Sequence, residues 1–241
     1  MNELSPAATK WLADHHGVIS AARLRSCGVG KSTTALLVRC GVLKNVHKGV
    51  YVLRATTATL EQRCAVMSAA HPTGFVTGPT AGALSGVRRM PRTSSLHYAV
   101  RHGLHLPEEP GVHFRQTTKL PATHRFVRDD GISIARPARL AFDLAADLRP
   151  LDHLSVVQQL LEMKRVSIHE LLAIGNQLCH PGRDGSKRFR ETLERLGGES
   201  PAQSHPEVVL AEALRKRGVP VERQARVVRG AGARRTTRVF S

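Results

Sequence analysis

The first 55 residues have the hydrophobic pattern of short amphipathic helices. Ala8, Trp11 and Leu12 recur at intervals of three and four residues, and this spacing predicts the buried stripe of a helix. Ser5 is a favourable N-cap residue, and Gly17 is suited to ending the helix. The elements predicted on such grounds are helices over residues 5–16, 21–27 and 32–40 and a short strand over residues 18–19.

A change to two-residue periodicity follows the third helix. Val46, Val50 and Val52 alternate with polar or basic neighbours around Gly49, which predicts a β-hairpin closed by a glycine turn. Three small helices followed by such a hairpin form the plan of a winged helix-turn-helix, a module that usually binds DNA. In these modules the last helix enters the major groove and presents its N-terminal residues to base edges.

Seven residues are therefore predicted to face duplex DNA. Four lie at the start of the third helix or within it, and three lie in the hairpin, where basic side chains would meet phosphates. The predicted DNA-binding residues are Lys31, Ser32, Thr33, Arg39, Lys44, His47 and Lys48.

The charge distribution supports a polyanionic partner. The chain carries 36 Lys and Arg against 19 Asp and Glu, a formal net charge of +17. Residues 1–55 contain eight basic and two acidic residues, whereas residues 126–200 contain eleven of each. The predicted DNA-binding region is thus basic, as phosphate neutralisation requires. An alternative is a generally arginine-rich protein whose charge has no specific partner.

A second alternative is nucleotide binding at Gly28-Val-Gly-Lys-Ser32, which resembles the end of a phosphate-binding loop. The first glycine of that pattern would fall at position 25, which is Arg25. The loop would also follow a buried strand, whereas a helix is predicted before it. The sequence therefore favours a turn between two helices, and we expect no cofactor.

The rest of the chain predicts a mixed α/β (α+β) domain with a helical second half. We divide the chain into a winged helix-turn-helix over residues 1–55, an α/β middle domain over 56–198 and a C-terminal segment over 199–241. The predicted middle-domain elements are helices over residues 60–71, 79–84, 137–148, 151–163, 167–179 and 186–196 and strands over 75–77, 96–100, 112–115 and 132–134.

Other composition features exclude several classes of protein. No apolar run approaches the ~20 residues of a membrane span, and the N-terminus lacks a signal-peptide core. The four cysteines are isolated, which favours reduced thiols in the cytoplasm over disulfides or zinc. The thirteen histidines lack a helical metal-binding pair, so we predict no metal site.

The order of these segments resembles proteins with an AbiEi-type antitoxin N-terminal domain. The matching stretches are His16-Gly-Val-Ile-Ser20, Arg39-Cys-Gly41, Val46-His-Lys-Gly-Val-Tyr51, residues 74–86, and residues 131–139 with Asp143. The resemblance implies that the N-terminal domain binds operator DNA and represses its own operon. It also implies that the middle domain helps to counter a nucleotidyltransferase-type toxin, which makes a toxin protein a candidate partner.

The C-terminal segment resembles the start of a very-short-patch-repair endonuclease. Residues 205–220 match the first helix of that module, with Glu207 at the position of an early acidic residue. Such nucleases carry Asp and Glu metal ligands on later strands, but no acid follows Glu222 here. We interpret the segment as truncated and the protein as not an enzyme. The alternatives are a degenerate endonuclease and an interaction protein whose winged helix binds protein. The oligomeric state stays open.

We predict that the purified chain has no metal-dependent nuclease activity. Holding Mg²⁺ and orienting the attacking water requires several oxygen ligands, and the segment from Ser200 offers only Glu207, Glu212 and Glu222. The assay is plasmid nicking with Mg²⁺ or Mn²⁺, with Glu207→Ala as the control. Cleavage that this substitution abolishes would restore the endonuclease interpretation.

Overall fold

The computed structural model describes residues 4–91, 93–106, 108–196, 214–215 and 217–219. It confirms a mixed α+β architecture with two separate sheets. Most of the C-terminal segment, including Glu207, Glu212 and Glu222, lies outside the described residues, and so do the predictions that rest on it. Among the residues that are described, no helix is long and apolar enough to cross a membrane.

The N-terminal unit follows the predicted element order. Its elements are α1 (Pro6–Asp14), β1 (Val18–Ser20), α2 (Ala21–Ser26), α3 (Lys31–Arg39), β2 (Leu43–His47) and β3 (Val50–Leu53). The side chains of Ser5 and Ser20 cap α1 and α2 by accepting hydrogen bonds from the backbone amides of Ala8 and Arg23. The three strands form an antiparallel sheet in the order β1-β3-β2, and we call the β2–β3 hairpin the wing.

The two faces of this sheet are buried in different cores. Leu43 lies opposite Leu53, and with Ile19 they pack on the side of α1, α2 and α3. Val18 and Val50 are on the other face and belong to the core of the middle region. That second face contacts α4, the helix that follows the wing, at Leu60–Ala70.

The middle region contains a five-stranded sheet with helices around it. Its further elements are β4 (Phe75–Val76), α5 (Gly78–Leu84), β5 (Leu96–Arg101), β6 (Val112–Thr117), a 3-10 helix (Ala122–His124), β7 (Arg125–Val127), β8 (Ser133–Ala135), α6 (Pro137–Asp147), α7 (Pro150–Glu162), α8 (Ile168–Leu178) and α9 (Ser186–Leu196). The strand order is β6-β5-β4-β8-β7, with β5·β6 and β4·β8 parallel and the other pairs antiparallel.

Strand β7 and the 3-10 helix are the described elements that the sequence pattern did not predict. β7 has only three residues, and Phe126 and Val127 are both exposed. The sequence signal of a strand is the alternation of buried apolar and exposed polar residues. A strand of three residues with consecutive exposed side chains lacks this alternation.

A buried ion pair lies within α6, and its aspartate also receives contacts from the five-stranded sheet region. The side chains of Arg139 and Asp143 are 0% and 1% exposed, with 2.9 Å between Nε and Oδ2. The Thr77 hydroxyl donates to the same carboxylate oxygen at 2.6 Å. Arg115, on β6, donates to the Asp143 backbone carbonyl and to the Asp147 carboxylate. Together these contacts fix α6 across the sheet.

Replacing the buried carboxylate should destabilise the protein far more than breaking a surface ion pair. Asp143→Asn leaves the Arg139 guanidinium buried without its counter-charge, which costs about 3–5 kcal/mol. The control is Arg149→Ala, because Arg149 pairs with Asp152 but its side chain is 88% exposed, and such pairs contribute about 0–1 kcal/mol. Urea unfolding measures both free energies, and equal losses would contradict this account.

The buried imidazole of His153 predicts a loss of stability in acid. Its Nε2–H donates to the Ala141 carbonyl and its Nδ1 accepts from the Thr192 hydroxyl, both at 2.8 Å. Burial lowers the pKa of His153 from 6.5 to about 4. Between these pH values the unfolded chain binds a proton that the folded chain does not, so stability falls as pH decreases, by about 3 kcal/mol in total.

Chemical denaturation at a series of pH values checks this dependence. His153→Asn, which cannot titrate, should have a lower stability at pH 7 and a flatter pH profile between 6.5 and 4. A profile parallel to that of the wild type would show that other groups cause the acid sensitivity.

Candidate nucleic-acid interface

Helix α3 has one buried and one exposed face. Thr34 and Leu37, three residues apart, are buried against the N-terminal core. Lys31, Ala35 and Arg39 are exposed, and their four-residue spacing places them along one stripe of the helix. Two cations thus lie on the outer face of α3, one at each end. Ser32, next to Lys31, is also exposed, and Thr33 is partly exposed.

The beginning of α3 favours negative charge. Gly30 occupies the N-cap position and provides no side-chain hydrogen bond to the first turn. The amide groups at the start of a helix have no partner within the helix, and the helix dipole makes this end partly positive. Lys31 adds a full positive charge at the same place. A phosphate or a base acceptor therefore suits this end of α3.

The three basic residues predicted for the wing do not share one environment. Lys48 lies in the turn between β2 and β3 and is exposed. Lys44 lies opposite Val52, which places it on the sheet face that turns toward α4. His47 is partly buried, and its Nε2 lies 2.9 Å from the Glu109 carboxylate of the middle region. Only the tip of the wing is therefore free of the middle region.

The structure adds four exposed cations that the helix-turn-helix pattern did not single out. They were detectable only as part of the charge count. The basic surface of the N-terminal unit consists of Lys10, Arg23, Arg25, Lys31, Arg39, Lys44, Lys48 and Arg54, all of them exposed. Within the described residues, none of the eight forms a salt bridge. Asp14 is the one acid among residues 4–55, so the positive charge of this unit is almost uncompensated.

Arg23 is held in place by an aromatic ring. Its guanidinium lies 3.7 Å from the centroid of the Trp11 ring, and the Trp11 ring also stacks on the ring of His15. An aromatic ring attracts a cation but carries no net charge, so the guanidinium is held in place without being neutralised. Arg23 is therefore a preorganised cation on α2, two residues before Arg25.

A second polar contact fixes the N-terminal unit to the middle region. His16 lies 3.0 Å from the carboxylate of Asp130, which also accepts a hydrogen bond from Arg128. The Gln62 side chain donates to the His16 carbonyl at 2.9 Å. Burial alone would raise the pKa of Asp130, but the hydrogen bonds from His16 and from the Ile132 backbone lower it. Together with His47 and Glu109, this pair holds the sheet at two positions.

Comparisons with known proteins leave the family open. No family model matches the sequence, and no curated protein is similar to it. A crystal structure of the RV2827C protein from Mycobacterium tuberculosis superposes with a TM-score of 0.46, at 17% identity and over 82% of each chain. A likeness of this extent carries no argument about function.

Proposed function

We propose that this protein is a DNA-binding transcriptional regulator. The observation that carries the proposal is the basic surface of the N-terminal unit, whose eight cations are exposed without salt-bridge partners among the described residues. A surface of that kind is suited to displacing counterions from a duplex. The resemblance to AbiEi-type antitoxins suggests an operator in the protein's own promoter as the DNA target and the cytoplasm as the location.

The proposed contacts divide into two kinds. Lys31, Ser32 and Thr33 at the start of α3 would meet base edges, with Arg39 further along the same helix. Lys48 at the wing tip would meet phosphate. Lys44, which is exposed near the base of the wing, would meet phosphate only at the edge of the interface, and His47 would contribute only after leaving Glu109.

A toxin partner for the middle region rests on the resemblance alone. We propose it as the second half of the same function, with a nucleotidyltransferase-type toxin as the partner. Co-purification of the protein with the product of an adjacent toxin gene would support it. If a substitution in the middle region abolished toxin neutralisation but left DNA binding intact, the middle region would be the part that counters the toxin.

Single substitutions should separate anchoring from base recognition. Lys48→Ala should weaken binding to all duplexes about equally and flatten the slope of log K against log salt by about 1, because a wing lysine meets phosphate. Lys31→Ala or Arg39→Ala should also reduce the preference for the operator, by about 1–3 kcal/mol if the side chain reaches a guanine. Fluorescence anisotropy with the promoter duplex and an unrelated duplex measures both quantities.

The matched control is Arg165→Ala, which removes an exposed cation between α7 and α8. It should leave affinity and salt slope near those of the wild type. If the wild-type protein bound no duplex at low salt, the proposed function would be wrong. If all three variants lost affinity without a change in sequence preference, α3 would not be the recognition helix.

A further inference from the structure

A cavity of about 560 Å³ lies between the wing and the middle region. Strands β2 and β3 form one wall, helix α4 forms another, and the segment leading into β6 closes a third side. Its volume is within the range of ~300–1,000 Å³ that is usual for small-molecule pockets. The cavity therefore has the size and the position of a ligand site next to the proposed DNA-binding surface.

The lining of this cavity is apolar and incompletely covered. Met67 and Leu96 are fully buried, at 1% and 0% exposure. Val46, Val66 and Val112 also line it, but each of them is only partly buried. These side chains come from a strand, a helix and a second sheet, and they do not fill the space between them. Part of their apolar surface therefore has no packing partner. An apolar ligand body would cover it.

The charged part of the lining is mostly cationic. Lys44, Arg54 and Arg63 line the cavity, and Glu109 is its one acidic residue. Glu109 is already hydrogen bonded to His47 at 2.9 Å. Arg63 donates to the Gly111 carbonyl, which leaves part of its guanidinium for another acceptor. The unmatched charge at the cavity is positive, so it suits an anionic group on the ligand.

We propose that this cavity binds a small apolar carboxylate. Its hydrocarbon body would fill the space between Val46, Val66 and Val112, and its carboxylate would bind Arg54 and Lys44. The binding itself does not depend on the proposed function. One consequence does: a ligand carboxylate that neutralises Lys44 and Arg54 removes two positive charges from the basic surface, so ligand and DNA should oppose each other's binding.

Naphthoate is a suitable probe, because it joins two apolar rings to one carboxylate and is fluorescent. Titration of the full chain should give saturable binding of one molecule per chain. Naphthalenemethanol, which keeps the rings but lacks the charge, should bind at least about tenfold more weakly, the usual value of a charge-assisted contact. Equal affinity for the two probes would contradict the carboxylate assignment.

Two kinds of substitution locate the site. Val66→Trp places a large ring in the cavity and should abolish binding, and Arg54→Ala should weaken it about tenfold. Arg165→Ala is the matched control, because Arg165 is exposed between α7 and α8 and does not line the cavity. Unchanged affinity in the Val66→Trp and Arg54→Ala variants would overturn the site. Naphthoate binding that appeared only after removal of residues 199–241 would assign the cavity to the chain's own C-terminal segment instead.

The link to DNA is tested separately. Saturating naphthoate should weaken binding to the promoter duplex about fivefold or more in the wild type and leave the Val66→Trp variant unaffected. If the chain bound naphthoate but no DNA, the proposed function would fail and the ligand site would stand. If both ligands bound without affecting each other, the opposition between them would be refuted.

Discussion

The burial of the outer face of the three-stranded sheet joins the two parts of this protein. Val18, Val50 and Val52 are buried on the side of α4. Each buried valine contributes about 1.5–3 kcal/mol to the free energy of folding. The partly exposed hydrogen bonds of the same sheet, His16 with Asp130 and His47 with Glu109, contribute less. Apolar burial therefore holds the N-terminal unit in place, and the polar contacts fix its orientation.

This arrangement decides which surface is left for a partner. With one face of the sheet on α1, α2 and α3 and the other on α4, the wing projects only its tip. The outer stripe of α3, from Lys31 to Arg39, stays exposed. A partner of this unit would thus meet α3 and Lys48, while the base of the wing lines the open cavity beside α4.

The local structure of the N-terminal unit was predictable because its signals are local. Ser5 and Ser20 cap α1 and α2 by hydrogen bonds to amides three residues later, and Gly17 and Gly28 lie in the turns that follow these two helices. Which parts of the middle region pack against each strand was not predictable, because those contacts join residues that are distant in sequence. Glu109, for example, lies 62 residues from His47. One sign was present: Leu43 and Leu53 on one face and Val50 and Val52 on the other predict a hairpin that is buried on both sides.

In the middle region, helical spacing predicted α6 but not its central ion pair. Arg139 and Asp143 are four residues apart, which is equally typical of an exposed pair on a helix surface. The residues that contact this pair, Thr77 directly after β4 and Arg115 on β6, are distant in sequence. The eight cations of the basic surface were countable from the sequence, but whether neighbouring acids neutralise them depends on the fold.

Lysine footprinting on the full chain tests the central claim most directly. Surface lysines are acetylated with and without a saturating promoter duplex, and the modified positions are measured by mass spectrometry. The account predicts that DNA protects Lys31 and Lys48, while Lys164 and Lys187 in the middle region react as before. Protection of Lys187 together with full reactivity of Lys31 would place DNA on the middle region and contradict the assignment of α3.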